Sequence, residues 1–180
     1  MRNIQLLLDE WSNSLYTTYL ANRLRWDEIG LPTPDGPRFL FEDPAGLSEL
    51  REFQEKFSVS LPREIVDFYL LSNGWTFSIA RGASGAFLPI SAVNRIENVD
   101  PAASKTLGDT LSLLGKKSSG FFLLTDNPMG SEMVIASCDF SFFLVDPFLG
   151  DLEPRSSFES VLLEYRHIFF AGLKELLRNH

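Results

Sequence analysis

The sequence FSFFLV, residues 140–145, predicts a strand that is apolar on both of its faces. Successive side chains of a strand point to opposite sides, so Phe140, Phe142 and Leu144 share one face, while Phe143 and Val145 lie on the other. A sheet that contains such a strand either has cover on both faces or exposes an adhesive apolar patch. This requirement constrains the fold more than any other feature of the chain.

Two further strand candidates precede it, residues 121–125 and 132–137, and polar turns at 126–130 and 138–139 separate the three. Short strands at this spacing are typical of an antiparallel meander. Helical patterns fill most of the remaining chain. The sequence therefore predicts an α+β fold, in which a mostly antiparallel sheet of about four to six strands is flanked by helices.

The amino-terminal part of the chain combines a helix with an irregular connection. Apolar residues at helical spacing predict a helix from Ile4 to about Leu24. The Pro- and Gly-rich residues 27–46 break regular structure, although they allow a short strand at 39–41. Because residues 1–43 are too few to bury a core of their own, we assign them to the same domain as residues 44–180.

Proline and capping residues mark where the later helices begin. The predicted starts are Asp43-Pro44, Leu61-Pro62, Ser91 and, for the last helix, Ser156 to Glu159. In the first of these helices, Leu47, Leu50 and Phe53 are expected to face inward. The helix from Ser91 is expected to run through about Asn98. Three leucines, Leu107, Leu111 and Leu114, indicate one more short helix. The sequence predicts strands at residues 75–79 and 87–90, with a loop at 81–85 between them.

The segment LLSNGWTF, residues 70–77, closes the helix that begins near Pro62. Asn73 and Gly74 can both take the left-handed conformation that ends a helix, glycine at almost no steric cost. Trp75 follows at once, and two interpretations of it stay open. It is either a plug of the core, which we favour, or an anchor for a protein partner.

The charge of the chain narrows the classes of partner. The formal net charge is −8 and the pI is about 4.8. Such a field repels nucleic acids and anionic membranes and attracts a basic partner, although acidity that merely keeps a protein soluble explains the charge equally well. The single cysteine, Cys138, excludes an intrachain disulfide, and no apolar run reaches the length of a signal peptide or a membrane span. We therefore expect a cytoplasmic protein.

One serine suggests a hydrolase, but its sequence context argues against catalysis. Ser84 lies between two glycines, and Asp126 or Asp146 and then His167 follow in the order of a hydrolase triad. A nucleophile elbow requires a helix directly after the serine, whereas a strand is predicted here. His167 falls on a helix that we expect to pack against the core. We therefore expect no enzyme activity.

Motifs for phosphate and metal binding are also incomplete. Gly115-Lys116 lacks both the upstream glycine and the following hydroxyl residue of a phosphate-binding loop. Two histidines and one cysteine are too few for a transition-metal site, and the acids lack the alternating spacing of a calcium loop. The sequence thus predicts neither a cofactor nor a metal ion.

Four short segments occur in a characteristic order: Leu61-Pro62, the apolar helix 65–71, Ser72-Asn73-Gly74-Trp75, and Phe87-Leu88-Pro89-Ile90. In these the chain resembles the SUKH superfamily, which includes bacterial toxin-immunity proteins and fungal cell-wall regulators of the Smi/Knr type. The later strands and last helix are similar in layout, so the likeness covers most of residues 44–170. The resemblance implies an α+β domain without catalysis that binds and neutralises a protein, often a toxin made by the same or neighbouring cells.

The acidic charge and the resemblance lead to one functional hypothesis. The chain is an immunity protein, a monomer or weak dimer, that binds a basic toxin domain. The residues expected to contact the partner are Trp75, Asp126, Asp139, Asp146, Asp151 and Glu153, with the acids steering the partner and Trp75 or an exposed Phe anchoring it. A regulatory or scaffolding module that binds a different cellular protein is the alternative.

Overall fold

The structure is a computed structural model that describes residues 4–36, 41–75, 86–126, 133–146 and 149–179. The helices in these ranges are α1 (Ile4–Ala21), α2 (Arg23–Glu28), α3 (Leu47–Phe57), α4 (Arg63–Tyr69), α5 (Pro101–Leu113) and α6 (Phe158–Asn179), with short 3-10 helices at Ile96–Asn98 and Ser118–Gly120. The strands are β1 (Ala86–Phe87), β2 (Asn94–Arg95), β3 (Phe121–Leu123), β4 (Thr125–Asp126), β5 (Met133–Ser137), β6 (Phe142–Asp146) and β7 (Asp151–Arg155). Within the described ranges, no helix combines the length and apolar character needed to cross a membrane.

Five strands form one antiparallel sheet in the order β2-β3-β5-β6-β7, and β1 pairs with β4 in a separate two-stranded ribbon. The register places Phe122 opposite Ala136 and Ile135 opposite Phe143. The predicted α+β class and the predicted antiparallel meander are therefore confirmed.

Both faces of the sheet are covered, as its apolar strands require. The face that we call the α6 face carries Phe122, Val134, Phe142 and Leu144, which share a core with α1, α3, α4 and α6. The opposite face, the α5 face, carries residues that pack with α5 and the first 3-10 helix: Phe121, Leu123, Met133, Ile135 and Val145. Of the two alternatives that the sequence left open, cover on both faces is the one found.

The first helix stops earlier than its apolar pattern predicts. α1 ends at Ala21 rather than near Leu24, because the backbone of Asn22 leaves the helical region (φ −128°, ψ 25°), and α2 begins at the next residue. Trp11 and Leu15 of α1 lie in the same core as the α6 face. The amino-terminal helix is thus built into the core of the sheet.

The predicted cap at Asp43-Pro44 is wrong. α3 begins three residues later than predicted, at Leu47 rather than Pro44, and the backbone N–H of Gly46 donates to the carboxylate of Glu49 at 2.7 Å. The backbone of residues 42–45 runs instead along residues 69–74, with bonds such as Ala45 N–H to the carbonyl of Tyr69 at 2.8 Å. Leu47 is 57% exposed rather than facing inward.

The helix predicted from Ser91 is also wrong. The N–H groups of Ala92 and Val93 both donate to the carbonyl of Pro89, which makes a tight turn. The chain then enters β2, where Asn94 pairs with Leu123 of β3. The predicted short strand at 39–41 lies mostly outside the described residues, as do the rest of the strand after Trp75 and the loop at 81–85.

Residues 101–179 contain one strand that the sequence did not predict and two helices that it did. The short helix expected near residues 107–114 is the longer α5, which Asp100 caps by accepting from the N–H of Ala102 at 2.9 Å. The cap of α6 is Ser157, one residue later than the predicted box; its hydroxyl accepts from the N–H of Ser160. β7 was missed because Pro154 breaks its strand pattern, yet proline is tolerated in an edge strand.

Candidate protein-binding surface

The Asn73–Gly74 turn joins segments that are distant in sequence. The side-chain oxygen of Asn73 accepts from the N–H of Ile90 at 2.8 Å, and its own N–H donates to the carbonyl of Asp43. Gly74 takes a left-handed φ of +91°, and a Cβ there would lie 2.3 Å from the carbonyl oxygen of Phe87. Glycine is therefore required. α4 itself ends at Tyr69 with Leu70 as its cap, so Asn73 and Gly74 follow the end of the helix and form a junction inside the fold.

Trp75, which follows this junction, is a plug of the core. It is 0% exposed, and its ring centroid lies 4.8 Å from Trp11 and 4.5 Å from Phe87. Its backbone N–H donates to the carbonyl of Phe87 at 3.0 Å, so the residue is held by a β-bridge as well as by packing. The structure corrects the interpretation of Trp75 as a partner anchor, because a side chain buried on all sides offers a partner no surface.

The five acids predicted to contact a partner lie at three places: the two ends of the sheet and its edge strand. Asp146 and Asp151 are Cα partners across the turn between β6 and β7. The backbone of Asp126 ends β4 near the same end of the sheet; its side chain lies outside the described part. Asp139 occupies the β5–β6 turn at the opposite end, and Glu153 lies in the middle of the edge strand β7. The structure thus brings Asp146 and Asp151 together and sets Asp139 apart.

The β6–β7 turn also presents an apolar side chain. The carboxylate of Asp146 accepts from the N–H of Leu149 at 3.0 Å, and its carbonyl accepts from the N–H of Gly150 at 2.9 Å. Leu149 is 74% exposed between the two aspartates. Sequence reasoning missed it, because a leucine in a turn resembles any other core residue until its surroundings are known. The turn therefore combines an acidic rim with an exposed apolar centre.

Edge strand β7 offers side chains rather than backbone to a partner. Pro154 has no N–H to donate to an added strand, and its neighbours Glu153 and Arg155 are charged, which are two common ways to block edge pairing. Glu153 is bound to Arg155 by an ion pair of 2.7 Å. Part of the negative charge of Glu153 is therefore already compensated within the strand.

Asp139 is held within its own turn. The hydroxyl of Ser137 and the backbone N–H of Ser141 donate to its carboxylate, and these bonds hold the pKa of Asp139 below its usual value. The next residue, Phe140, takes a left-handed φ of 60°, and its ring stacks on Phe122 at 6.0 Å. The acid stays ionised and exposed, but its first role is to shape the hairpin.

The structure also bears on the residues that the sequence analysis considered for catalysis and metal binding. His167 points to solvent from α6, so the expectation that it packs against the core is wrong. Ser84 lies outside the described ranges. Within those ranges, no group of three or more His, Cys, Asp or Glu side chains is arranged to hold a metal ion.

A scan against models of protein families and a search of curated protein sequences both find no match to this chain.

Proposed function

We propose that the chain is a non-catalytic protein-binding module, an immunity protein of the SUKH type that captures and neutralises a basic toxin domain. The observation that best supports this proposal is the β6–β7 turn, where exposed Leu149 lies between Asp146 and Asp151. An apolar centre with a polar rim is the usual anatomy of a protein–protein interface. The resemblance of residues 61–90 to that superfamily supports the same class.

Capture begins with the field of the whole molecule. A net charge of −8 speeds the approach of a basic domain, and acids at one end of the sheet orient it. Asp146 and Asp151 face the partner in the proposed complex, and Asp126 lies at the same end. Glu153 contributes less, because its exposed ion pair with Arg155 must be weakened first. Asp139 lies at the other end of the sheet and takes no direct part.

The first experiment identifies the partner. The protein is purified from its native cell, or together with the product of the adjacent gene, and the bound proteins are identified by mass spectrometry at moderate salt. A basic toxin domain in stoichiometric amount is the expected result. A housekeeping protein in its place would contradict the immunity proposal and favour a regulatory or scaffolding module.

With the partner in hand, association kinetics test the turn. The variant Asp146→Asn/Asp151→Lys keeps the oxygen that accepts from Leu149 and changes the net charge from −8 to −5. The control variant Asp109→Lys/Glu175→Gln makes the same change in charge at exposed positions on α5 and α6. We expect the turn variant to slow association by about tenfold and to flatten its salt dependence, and the control to have a much smaller effect.

The apolar centre of the turn is tested by dissociation. Leu149→Ser removes the exposed side chain and should speed dissociation by about tenfold or more, as loss of an interface anchor does. Leu113→Ser, at an exposed leucine on α5, is the matched control. Equal rates for the two variants would remove the turn from the interface.

A further inference from the structure

A cleft lies where the ends of α1 and α6 meet α2, separate from the acidic turns. Its volume is about 410 Å³, which is within the range of small-molecule sites. Leu173 and Leu177 form a buried apolar floor, and half-buried Phe170 forms one wall. Among the described residues, buried apolar side chains of α6 thus form part of an open cleft.

The rim of this cleft is cationic in an acidic protein. Arg25, Lys174 and Arg178 line it, and no Asp or Glu of the described residues does. The guanidinium of Arg25 donates to the carbonyl oxygen of Leu177 at 2.7 Å, which fixes it against the last turn of α6. Because a guanidinium carries five N–H donors, Arg25 keeps others for a ligand.

Helix electrostatics explain part of this arrangement. Cations are favourable at the negative end of a helix, and α1 and α6 both end at this cleft. The dipoles would attract the same cations to a flat surface, however, and they do not account for an unfilled apolar hollow between the three charges. The combination of hollow and charges requires a separate explanation.

We propose that this cleft binds an amphipathic carboxylate, a small organic acid that carries an apolar chain. The carboxylate pairs with Arg25 and with one of the two α6 cations, in the geometry that guanidinium groups favour. The apolar chain lies on Leu173 and Leu177 beside Phe170, and the methylene stems of Lys174 and Arg178 cover it. This binding activity is independent of the proposed capture of a toxin.

Three probes test the two halves of the ligand. The full chain is titrated with octanoate, with octylammonium and with acetate, and binding is followed by calorimetry and by NMR shifts of residues 170–178. We expect saturable binding of octanoate alone. Octylammonium binding as tightly as octanoate would reduce the cleft to an apolar surface, acetate binding as tightly would reduce it to an anion site, and no binding of octanoate would overturn the proposal outright.

Lys174 and Arg178 are both exposed and can be replaced together, and an equal change of charge elsewhere supplies the control. Lys174→Gln/Arg178→Gln should weaken octanoate binding by about tenfold, the effect of losing a charge-assisted hydrogen bond. Arg23→Gln/Lys105→Gln removes the same charge from exposed positions outside the cleft and should leave the affinity unchanged. Unchanged binding in the first pair, or an equal loss in both, would contradict the assignment.

Discussion

The two faces of the sheet are covered in different ways. On the α6 face, the strands pack against α1, α3, α4 and α6, and aromatic rings contact one another across that core. On the α5 face, the described cover is α5 and a 3-10 helix, with Leu107, Leu111 and Ile96 as the buried apolar residues. Alternate residues of the same strands therefore belong to two cores, one packed among four helices and one covered by α5 and a 3-10 helix.

Because the cover differs, we expect apolar residues on the two faces to contribute different amounts to the free energy of unfolding. A side chain that packs among several helices leaves a cavity when it is removed, because its neighbours are fixed by one another. A side chain under one helix has a neighbour that can shift or detach. We therefore expect the α6 face to determine global stability and the α5 face to open locally.

Adjacent phenylalanines on β3 give the largest expected effect. Phe122 on the α6 face contacts the rings of Phe53, Phe57 and Phe140, so Phe122→Ala should lower the free energy of unfolding by about 3–5 kcal/mol. Phe121→Ala on the α5 face should cost about 1–2 kcal/mol less, since its neighbours can relax. Denaturant unfolding of both variants measures the difference. An equal or larger loss for Phe121→Ala would contradict the distinction between the faces.

Leu107→Ala should loosen α5 without loosening α6. Removal of this buried leucine costs about 2–3 kcal/mol of the packing that holds α5 to the sheet. Hydrogen exchange in residues 101–113 should become faster, while exchange in residues 158–179 should change little. The exposed Leu113→Ala is the matched control. Parallel acceleration in both helices would mean that the two faces unfold as one unit.

The amino-terminal cap of α5 gives a smaller effect of the same kind. Asp100→Ala removes the acceptor for the N–H of Ala102 and should cost about 1 kcal/mol, visible as faster exchange in the first turn of α5. Asp109→Ala removes an equal charge from an exposed position within the same helix. A similar result for the two variants would show that charge, rather than capping, is responsible.

The smallest expected effect lies at the carboxyl end of α5. The ammonium of Lys116 lies 5.9 Å from the ring centroid of Phe121 and 5.7 Å from that of Phe143, at the margin of the α5 face. Lys116→Gln should therefore cost about 0.5 kcal/mol, with Lys117→Gln as the control. Thermal unfolding at one salt concentration compares them. A loss in both variants would assign the effect to net charge.

Local patterns predicted the sheet well and its surroundings less well. The alternation of Phe142 and Phe143 was enough to show that both faces of the strand are apolar, because it depends only on strand geometry, and the structure shows that both faces are covered. The cap at Asp43 failed because backbone bonds from residues 42–45 to residues 69–74 replaced a local helix start. β7 escaped prediction because Pro154 breaks its strand pattern, and its pairing with β6 is not visible in its own sequence.

The candidate surface was predicted in part. Asp146 and Asp151 were identified from sequence as acids in turns, and their register partnership follows from the hairpin. Leu149 was not identified, since exposure of an apolar residue depends on what packs against it. For Trp75 the favoured interpretation as a plug of the core agrees with its burial, whereas the alternative as a partner contact does not.

Neighbouring residues alone specified the periodicities of this protein: which residues alternate, which form helical stripes, and that its strands are apolar on both faces. These properties depend on bond geometry within a few neighbouring residues. Tertiary contacts set where α3 begins, that Trp75 is buried and that Leu149 is exposed. Those outcomes depend on contacts between segments distant in the chain, whose hydrogen bonds and packing compete with every local preference.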